Sequence, residues 1–456
     1  MKRVRAICCA VLAGLMLAGC AVQPQTDNKR GGGAAVDLTK YVVREAAYPA
    51  YPKEPRFEDY FDENGEGDWD TYMAAEDEYL AALQKLGKGR LDQESAAPVL
   101  AFANRTLGKI FADSENRVYS PISLYAALAM LTEVTGGDTK QQVMELLGAA
   151  DSETLRQTVR DLWMSVYLDD GRSVCRLANG AFLRENADVK QEAVDTLADW
   201  YYASTYRVPM GTEEADKAIA GWLNQNTGGL LSEETGNIRT DGNDLLRLYN
   251  TIYYKSGWQD AFKSSQTKQD TFTAANGAKQ KTEFMHRTES GGYRKGEGYT
   301  AASRSLNYGR MVFVLPDESV TPESLLQRQG LLTELTGDYN AAELVWSVPK
   351  FDVKSSTELN GVLQALGVTD AFDMAEADFT PLTDNGAFLS SAMQAARVKI
   401  DEEGVEAAAY TEIVCADSAM MEVPPTVEMD LDRPFLFVIF DNSNVPLFVG
   451  TVNTMA

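Results

Sequence analysis

Asp401-Glu402-Glu403-Gly404-Val405-Glu406-Ala407-Ala408-Ala409-Tyr410-Thr411 is the stretch on which the fold of this chain turns. Three acids lead into a glycine, and a run of small residues follows. Read locally, two structures are open: an acidic helix start continued by alanines, or an extended segment slim enough to lie between other strands. In the second case Glu406 is no obstacle, because successive strand residues point to opposite faces and its carboxylate stays in solvent. Working outward, no Lys or Arg occurs between Ile400 and Asp432. Beyond that gap, Phe435 to Phe440 and Val445 to Val452 are rich in branched and aromatic residues. They flank Asp441-Asn442-Ser443-Asn444 and read as strand, hairpin turn and strand.

Upstream, helical and strand patterns alternate from about Ala96 without an internal repeat, as in one large α+β domain. Ser120-Pro121 is a helix start, a capping hydroxyl followed by a first-turn proline, with Leu124, Leu128 and Leu131 on one face and Gly136-Gly137 as the stop. Thr139 to Gln142 has capping-box spacing, Val143, Leu146 and Leu147 supply the apolar stripe, and Gly148 closes that helix. Leu248 to Tyr254 and Met311 to Leu315 read as strands.

Composition narrows the chemistry. The 456 residues are 45% apolar and 24% charged, enough for a large core, and 67 acids against 42 bases give a net charge of -25. Such a surface repels phosphate backbones, so nucleic acid is not an expected partner. A single histidine, His286, excludes the two-histidine zinc helix and leaves imidazole catalysis one candidate base. The five cysteines contain no C-x-x-C pair. No cofactor is expected.

The amino terminus is a processing signal. Lys2, Arg3 and Arg5 precede an apolar run from Ala6 to Ala18 that is too short to span a bilayer comfortably. Leu17-Ala18-Gly19-Cys20 resembles the bacterial lipobox, which implies cleavage after residue 19 and lipidation of Cys20. The expectation is an exported bacterial lipoprotein anchored to a membrane or cell surface, or released from it, with residues 1–19 as signal and 20–35 as lipidated tether. Cleavage would also remove Cys8 and Cys9, leaving Cys175 and Cys415 as thiols, and no structural disulfide is expected. Residues 36–95 form an acidic extension rich in aromatics, with Met73 to Leu86 reading as a short amphipathic helix. Asp62, Asn64, Glu66 and Asp68 alternate around a glycine, partly as in a calcium loop. Met73 stands where the closing acid belongs, so the stretch reads as an acidic turn and no metal is assigned.

From residue 96 to 456 several blocks together resemble the serpin family. Asn116-Arg-Val-Tyr-Ser120-Pro121-Ile-Ser123-Leu resembles its "N-x-x-x-S-P-x-S-I" segment, and Asn250-Thr-Ile-Tyr-Tyr-Lys255-Ser-Gly-Trp258 its central-sheet strand. Val348-Pro349-Lys350-Phe351, Leu366 to Phe372, Ala377-Asp378-Phe379 and Arg433-Pro434-Phe435 onward resemble further blocks in the family's order. The opening stretch, with hinge residues Glu402, Glu403, Gly404, Val405, Glu406, Ala407, Ala408 and Ala409, resembles the hinge of inhibitory serpins. The resemblance implies an α+β fold of three β-sheets and about eight or nine helices, with an exposed reactive-centre loop and no catalytic residues. It implies a monomer that inhibits serine proteases once and irreversibly. The loop is cleaved, the protease is trapped as a covalent acyl-enzyme, and the cut loop enters the central sheet, where bulky or charged groups on the buried face would obstruct closure.

By the same resemblance, Ser120, Ser123, Asn250 and Gln394 lie where the sheet parts, and Lys255 and Trp258 where the loop enters. Gln394 stands where many animal members have a histidine, and a glutamine amide both donates and accepts, so little pH sensitivity is expected there. His286 falls in a segment resembling a strand of the third sheet, with a structural role. Counting about fourteen residues from Gly404 places the scissile bond at Ser418-Ala419, while counting back from Pro434 moves it toward Met420-Met421. With no cation in the loop, elastase-like or subtilisin-like targets are expected, since a trypsin-like pocket would bury its aspartate unpaired. Cys415 lies in the same loop. Two other readings compete: a substrate-like or non-inhibitory member, and an acidic surface lipoprotein that binds carbohydrate or calcium through residues 36–95.

Overall fold

The central sheet is built on strands that alternate their side chains between two cores. The structure, a computed structural model, describes residues 36–61, 67–86, 93–231, 236, 238–405 and 424–455. Its first sheet contains β1 (Val42–Arg44), β3 (Leu168–Asp169), β4 (Val174–Arg184), β5 (Ala203–Val208) and β6 (Leu246–Gly257). It continues through β12 (Phe351–Glu358), β13 (Met393–Ile400) and β14 (Gly404–Val405). The order is β1-β5-β4-β6-β14-β13-β12, with β3 on β4. On β4, Cys175, Leu177 and Ala181 face the main core, while Ala178 and Phe182 face a smaller core under the helix that carries Trp222.

The second sheet has β2 (Arg117–Tyr119), β7 (Lys268–Thr273), β8 (Lys279–Gly296), β9 (Tyr299–Ser305) and β10 (Arg310–Pro316). It is completed by β11 (Asn340–Pro349), β15 (Thr426–Asp430), β16 (Phe435–Phe440) and β17 (Pro446–Val452). Its order is β15-β11-β8-β9-β10-β16-β17-β2, with β7 on β8. Two of the three expected sheets are therefore one hydrogen-bonded surface. The cause is β8, which pairs β7 along its first third, β11 through its middle and β9 at its end.

Ten α-helices lie among the described residues, including α1 (Trp69–Lys85) of the acidic extension. The others are α2 (Gln93–Ile110), α3 (Pro121–Val134), α4 (Gly137–Leu147), α5 (Ser152–Val166), α6 (Gln191–Tyr201) and α7 (Glu213–Asn226). Three short ones follow, α8 (Pro322–Leu326), α9 (Leu331–Leu335) and α10 (Asn360–Ala365). Almost every residue of α3 is buried, as expected of a helix that is apolar on all sides and runs through the core. Its start is as read from the sequence: Ser120 caps it, accepting from the Ser123 amide, and Pro121 opens the first turn. Helix α4 begins earlier than the capping box at Thr139 suggested. Tertiary partners take that box apart, because the Thr139 hydroxyl accepts from the Asp378 amide and the Gln142 side chain from the amides of Thr369 and Asp370. Gly148 closes α4 in a left-handed conformation.

The extension packs with the body in one unit from Ala35 to Ala456. Val42 pairs with Tyr206, so β1 covers the outer edge of the first sheet, which would otherwise present unpaired backbone groups. Arg44 then ion-pairs with Asp195 and Asp199 on α6. Tyr48 stacks on Trp163, Tyr167 and Tyr202, with centroids 5.5, 6.5 and 6.2 Å away, and the Tyr167 hydroxyl donates to the Pro49 carbonyl at 3.1 Å. Burial raises the Tyr48 phenol far above its ordinary range. Of the four candidate oxygen ligands in the calcium-like stretch, Asp62, Asn64 and Glu66 lie outside the described residues. Asp68 is the N-cap of α1, accepting from the amide and hydroxyl of Thr71, which moves that helix start ahead of Met73. Tyr48→Ala is expected to lower unfolding stability by about 2 kcal/mol, read as a drop in the urea midpoint of the native protein. An unchanged midpoint would show that the stack does not hold the extension in place.

Candidate functional site

The centre of the first sheet is joined by two residues. Gly404 pairs with Gly257 of β6, and Val405 pairs with Ser256 of β6 and Ile400 of β13, so the hinge is already seated as the short strand β14. No ladder between β6 and β13 is formed among the described residues. Gly404 is required here for two reasons. Its φ is +150°, and a Cβ would lie 2.4 Å from the Ser256 carbonyl oxygen and 2.6 Å from Gly257 Cα.

Around this seat the sequence brings a ring of anchors. The Glu403 and Glu402 carbonyls accept from the amides of Trp258 and Phe262 at 2.8 and 2.9 Å. The Trp258 indole donates to the Asp401 carbonyl at 2.9 Å from a position only 3% exposed. Arg304 lies over the rings of Phe262 and Trp258, 3.9 and 4.9 Å from their centroids. The Glu402 carboxylate is held by Lys350 at 2.8 Å and by the Thr267 hydroxyl at 2.7 Å, and Lys350 also reaches Glu283. Burial pushes the Glu402 carboxyl up, but the hydrogen bonds from Lys350 and Thr267 outweigh it and hold the group below the usual glutamate range. Trp258 thus contacts the backbone of Asp401 and Glu403, next to Gly404. Lys255 is half-buried on β6 opposite Val174 and makes no hydrogen bond to the hinge among the described residues. Lys350 and Thr267 were not singled out from the sequence; Lys350 lay inside a quoted motif, where nothing marked its side chain.

Farther down the sheet, Ser120, Ser123, Asn250 and Gln394 come together at the N-terminus of α3. The Gln394 amide of β13 clasps the Ser120 backbone from both sides, accepting from its N–H at 2.9 Å and donating to its carbonyl at 3.0 Å. The Ser123 hydroxyl donates to Asn250 of β6. One helix end therefore holds the strands on both sides of the gap. The Asn250 amide donates onward to Asn179 of β4, a buried residue that the sequence reading did not mark. Asn179 sits in an apolar row, where a single polar residue is the available signal. His286 is on β8 with its Nδ1 3.1 Å from the Gln266 carbonyl, away from this gap. Cys175 is buried on β4 opposite Tyr254.

Several expected sites lie outside the described residues. These are Glu406, Ala407, Ala408 and Ala409 of the hinge, Cys415, the bonds Ser418-Ala419 and Met420-Met421, and Cys20. The described chain resumes before β15, which pairs in parallel with β11 at the far edge of the second sheet.

Comparison with known proteins gives a consistent result. Residues 99–455 match the family model described as Serpin (serine protease inhibitor). Serpin-Z1C of Triticum aestivum is 29% identical over 361 residues, spanning 74% of this chain and 90% of that protein. Plasminogen activator inhibitor 1 of Neovison vison is 27% identical over 351 residues, spanning 74% of this chain and 86% of its own. Among solved structures, the native state of the thermophilic serpin tengpin matches with a TM-score of 0.72 at 26% identity, covering 80% of this chain and 95% of that one.

A lowered Glu402 pKa fixes the sign of the hinge's pH dependence. Its contribution is full at neutral pH and is lost as the pH falls below 4.5 through the depressed folded value. An acid titration of Trp258 fluorescence is therefore expected to show a transition in that range which Glu402→Gln abolishes. An identical transition in the variant would assign it to another group.

Proposed function

Because the chain belongs to the serpin family, we propose that it is a single-use inhibitor of serine proteases that traps its target by inserting its own cleaved loop. The observation that carries this reading is the seat of Gly404 and Val405 between β6 and β13. Of the residues that follow, Ala407 to Ala409 are small, and in an extended strand Glu406 would fall on the opposite face, so the strand begun by β14 has a sequence suited to continue. Each new backbone hydrogen bond contributes about 0.5–1.5 kcal/mol net, and with apolar burial a fully inserted loop yields on the order of ten kcal/mol for distorting an attached protease. Stored energy of that size requires a native form held by a kinetic barrier rather than by equilibrium.

The chemistry places the work on the protease. Its serine attacks the carbonyl carbon of Ser418, the bond to Ala419 breaks, and the new amino terminus leaves. Insertion then carries the acyl-enzyme away before water completes hydrolysis. The alternative bond is Met420-Met421. Elastase-like and subtilisin-like enzymes suit these small or apolar residues, and the absence of Lys and Arg from Ile400 to Asp432 disfavours trypsin-like ones. We assign the protein to a membrane or cell surface, held through lipid on Cys20, with residues 20–35 as tether.

Incubated with pancreatic elastase or subtilisin at slight excess of inhibitor, the protein is expected to give a band that survives denaturing electrophoresis. A carboxyl-terminal peptide beginning at Ala419 or Met421 should accompany it. Trypsin is expected to give no such band from this loop. Cleavage within residues 410–423 with full protease activity and no stable complex would overturn inhibition of these enzymes in favour of a substrate-like member.

A further inference from the structure

Glu133 is a carboxylate in the core that the trapping reading does not use. It stands in the last turn of α3 with its side chain 2% exposed. Three donors converge on it: Arg156 Nε at 2.8 Å and Nη2 at 2.6 Å, from α5, and the Tyr201 hydroxyl at 2.7 Å, from the end of α6. An ionised carboxylate is expensive to bury even when paired, and an apolar side chain would fill a helix contact at lower cost. The charge therefore calls for a role beyond packing.

Following the hydrogen bonds from Glu133 leads to the parting of the sheet. The Tyr201 carbonyl accepts from Asn179 Nδ2 at 2.5 Å. Asn179 Oδ1 accepts from the Asn250 amide, and Asn250 Oδ1 accepts from the Ser123 hydroxyl. The path leaves α3 at its C-terminal end, passes through α6, β4 and β6, and returns to α3 at its first turn. Ser123 and Glu133 do not touch, being about 15 Å apart along the helix. We infer that Glu133 and Tyr201 are positioning residues for sheet opening. They tie α6 to the end of α3, fix the Tyr201 carbonyl, and through Asn179 hold Asn250 where Ser123 reaches it. The half-sheet carrying β4 and β6 is thereby latched to both ends of one buried helix, and Arg156 keeps the carboxylate aimed.

This inference rests on the loop-insertion reading, and its test separates the two. The protein and its variants are held at a mildly elevated temperature, and spontaneous conversion to the loop-inserted form is followed by urea-gradient electrophoresis. Tyr201→Phe removes one hydroxyl and leaves the Glu133–Arg156 pair intact. It and Ser123→Ala are each expected to speed conversion about fivefold, the effect of one lost hydrogen bond on a barrier. The double variant is expected to match the faster single variant, because one path has been cut twice. The paired replacement Glu133→Leu/Arg156→Leu is expected to speed conversion as Tyr201→Phe does, and to add nothing to it. A merely structural ion pair predicts no acceleration from that change, since replacing a buried pair as a whole by apolar side chains is neutral or stabilising. Multiplicative rates in the double variant, near twenty-five-fold, or single variants no faster than wild type, would overturn the latch. Wild-type protein cleaved in its loop must gain urea resistance; if it does not, the insertion reading fails and the latch with it. If it does and the variants act independently, only the latch falls.

Discussion

The structure depends on how the central sheet is closed. A sheet is normally closed by its backbone ladder, yet here β6 and β13 are joined at the top by the two residues of β14 and in the middle by the N-terminal end of α3, through the Ser120 backbone and the Ser123 hydroxyl. Both arrangements are few-bond solutions. At a net value of about 0.5–1.5 kcal/mol each, such hydrogen bonds hold the halves in register without making separation prohibitive. A complete β6–β13 ladder would be stronger, and would have to be broken along its whole length before a new strand could enter.

The remaining architecture keeps that narrow closure from failing elsewhere. The outer edge of the same sheet is covered by β1, and the aromatic stack of Tyr48 on Trp163, Tyr167 and Tyr202 fastens the extension over α5 and α6. Trp163 in turn donates to the Leu177 carbonyl on β4, so the stack is connected to the sheet as well as to the helices. At the other extreme, the second sheet has a thoroughly buried centre in β10, β16 and β17. It gives β11 and β15 a fixed frame. Any mobility the mechanism needs is therefore concentrated where the first sheet is weakly tied.

Much of this was legible in the sequence, for reasons that differ by residue. Ser120 and Pro121 encode a helix start by local chemistry, and β16 and β17 announce themselves by branched residues around Asp441 to Asn444. Ser123, Asn250, Gln394, Gly404 and Trp258 were legible only as a set, through resemblance, because their partners are far away in the chain. Lys255 came with that set, and among the described residues its side chain makes no hydrogen bond to the hinge. Asn179, Tyr201 and Glu133 escaped notice since each sits in an otherwise apolar pattern, where a polar residue has no local partner to reveal its use. The three-residue β1 is too short for a periodic signal, and its pairing with β5 is a tertiary event. The single surface formed by β7, β8, β9 and β11 was equally hidden, because an eighteen-residue strand looks the same whether it serves one sheet or two. Thr139 shows the opposite failure: a correct capping pattern was overridden by contacts to Asp378 and Thr369.

On the proposed mechanism, the choice of polar rather than apolar ties at the parting line follows from what would replace them. Two apolar faces that separate leave a void until a strand arrives, and unfilled cavities in a packed interior are costly in proportion to their volume. Serine, asparagine and glutamine side chains can exchange one hydrogen-bond partner for another, and an arriving strand brings a backbone N–H and C=O at every residue. On the proposed mechanism, Asn250 and Gln394 would give up α3 and meet the inserted backbone, so the bonds lost and gained are alike in kind. What distinguishes the closed state is then geometry, the simultaneous reach of Ser120 and Ser123 to strands on opposite sides. A buried, rigid α3 provides that reach, and a carboxylate at its far end is well placed to hold the neighbouring α6 and β4 in step with it.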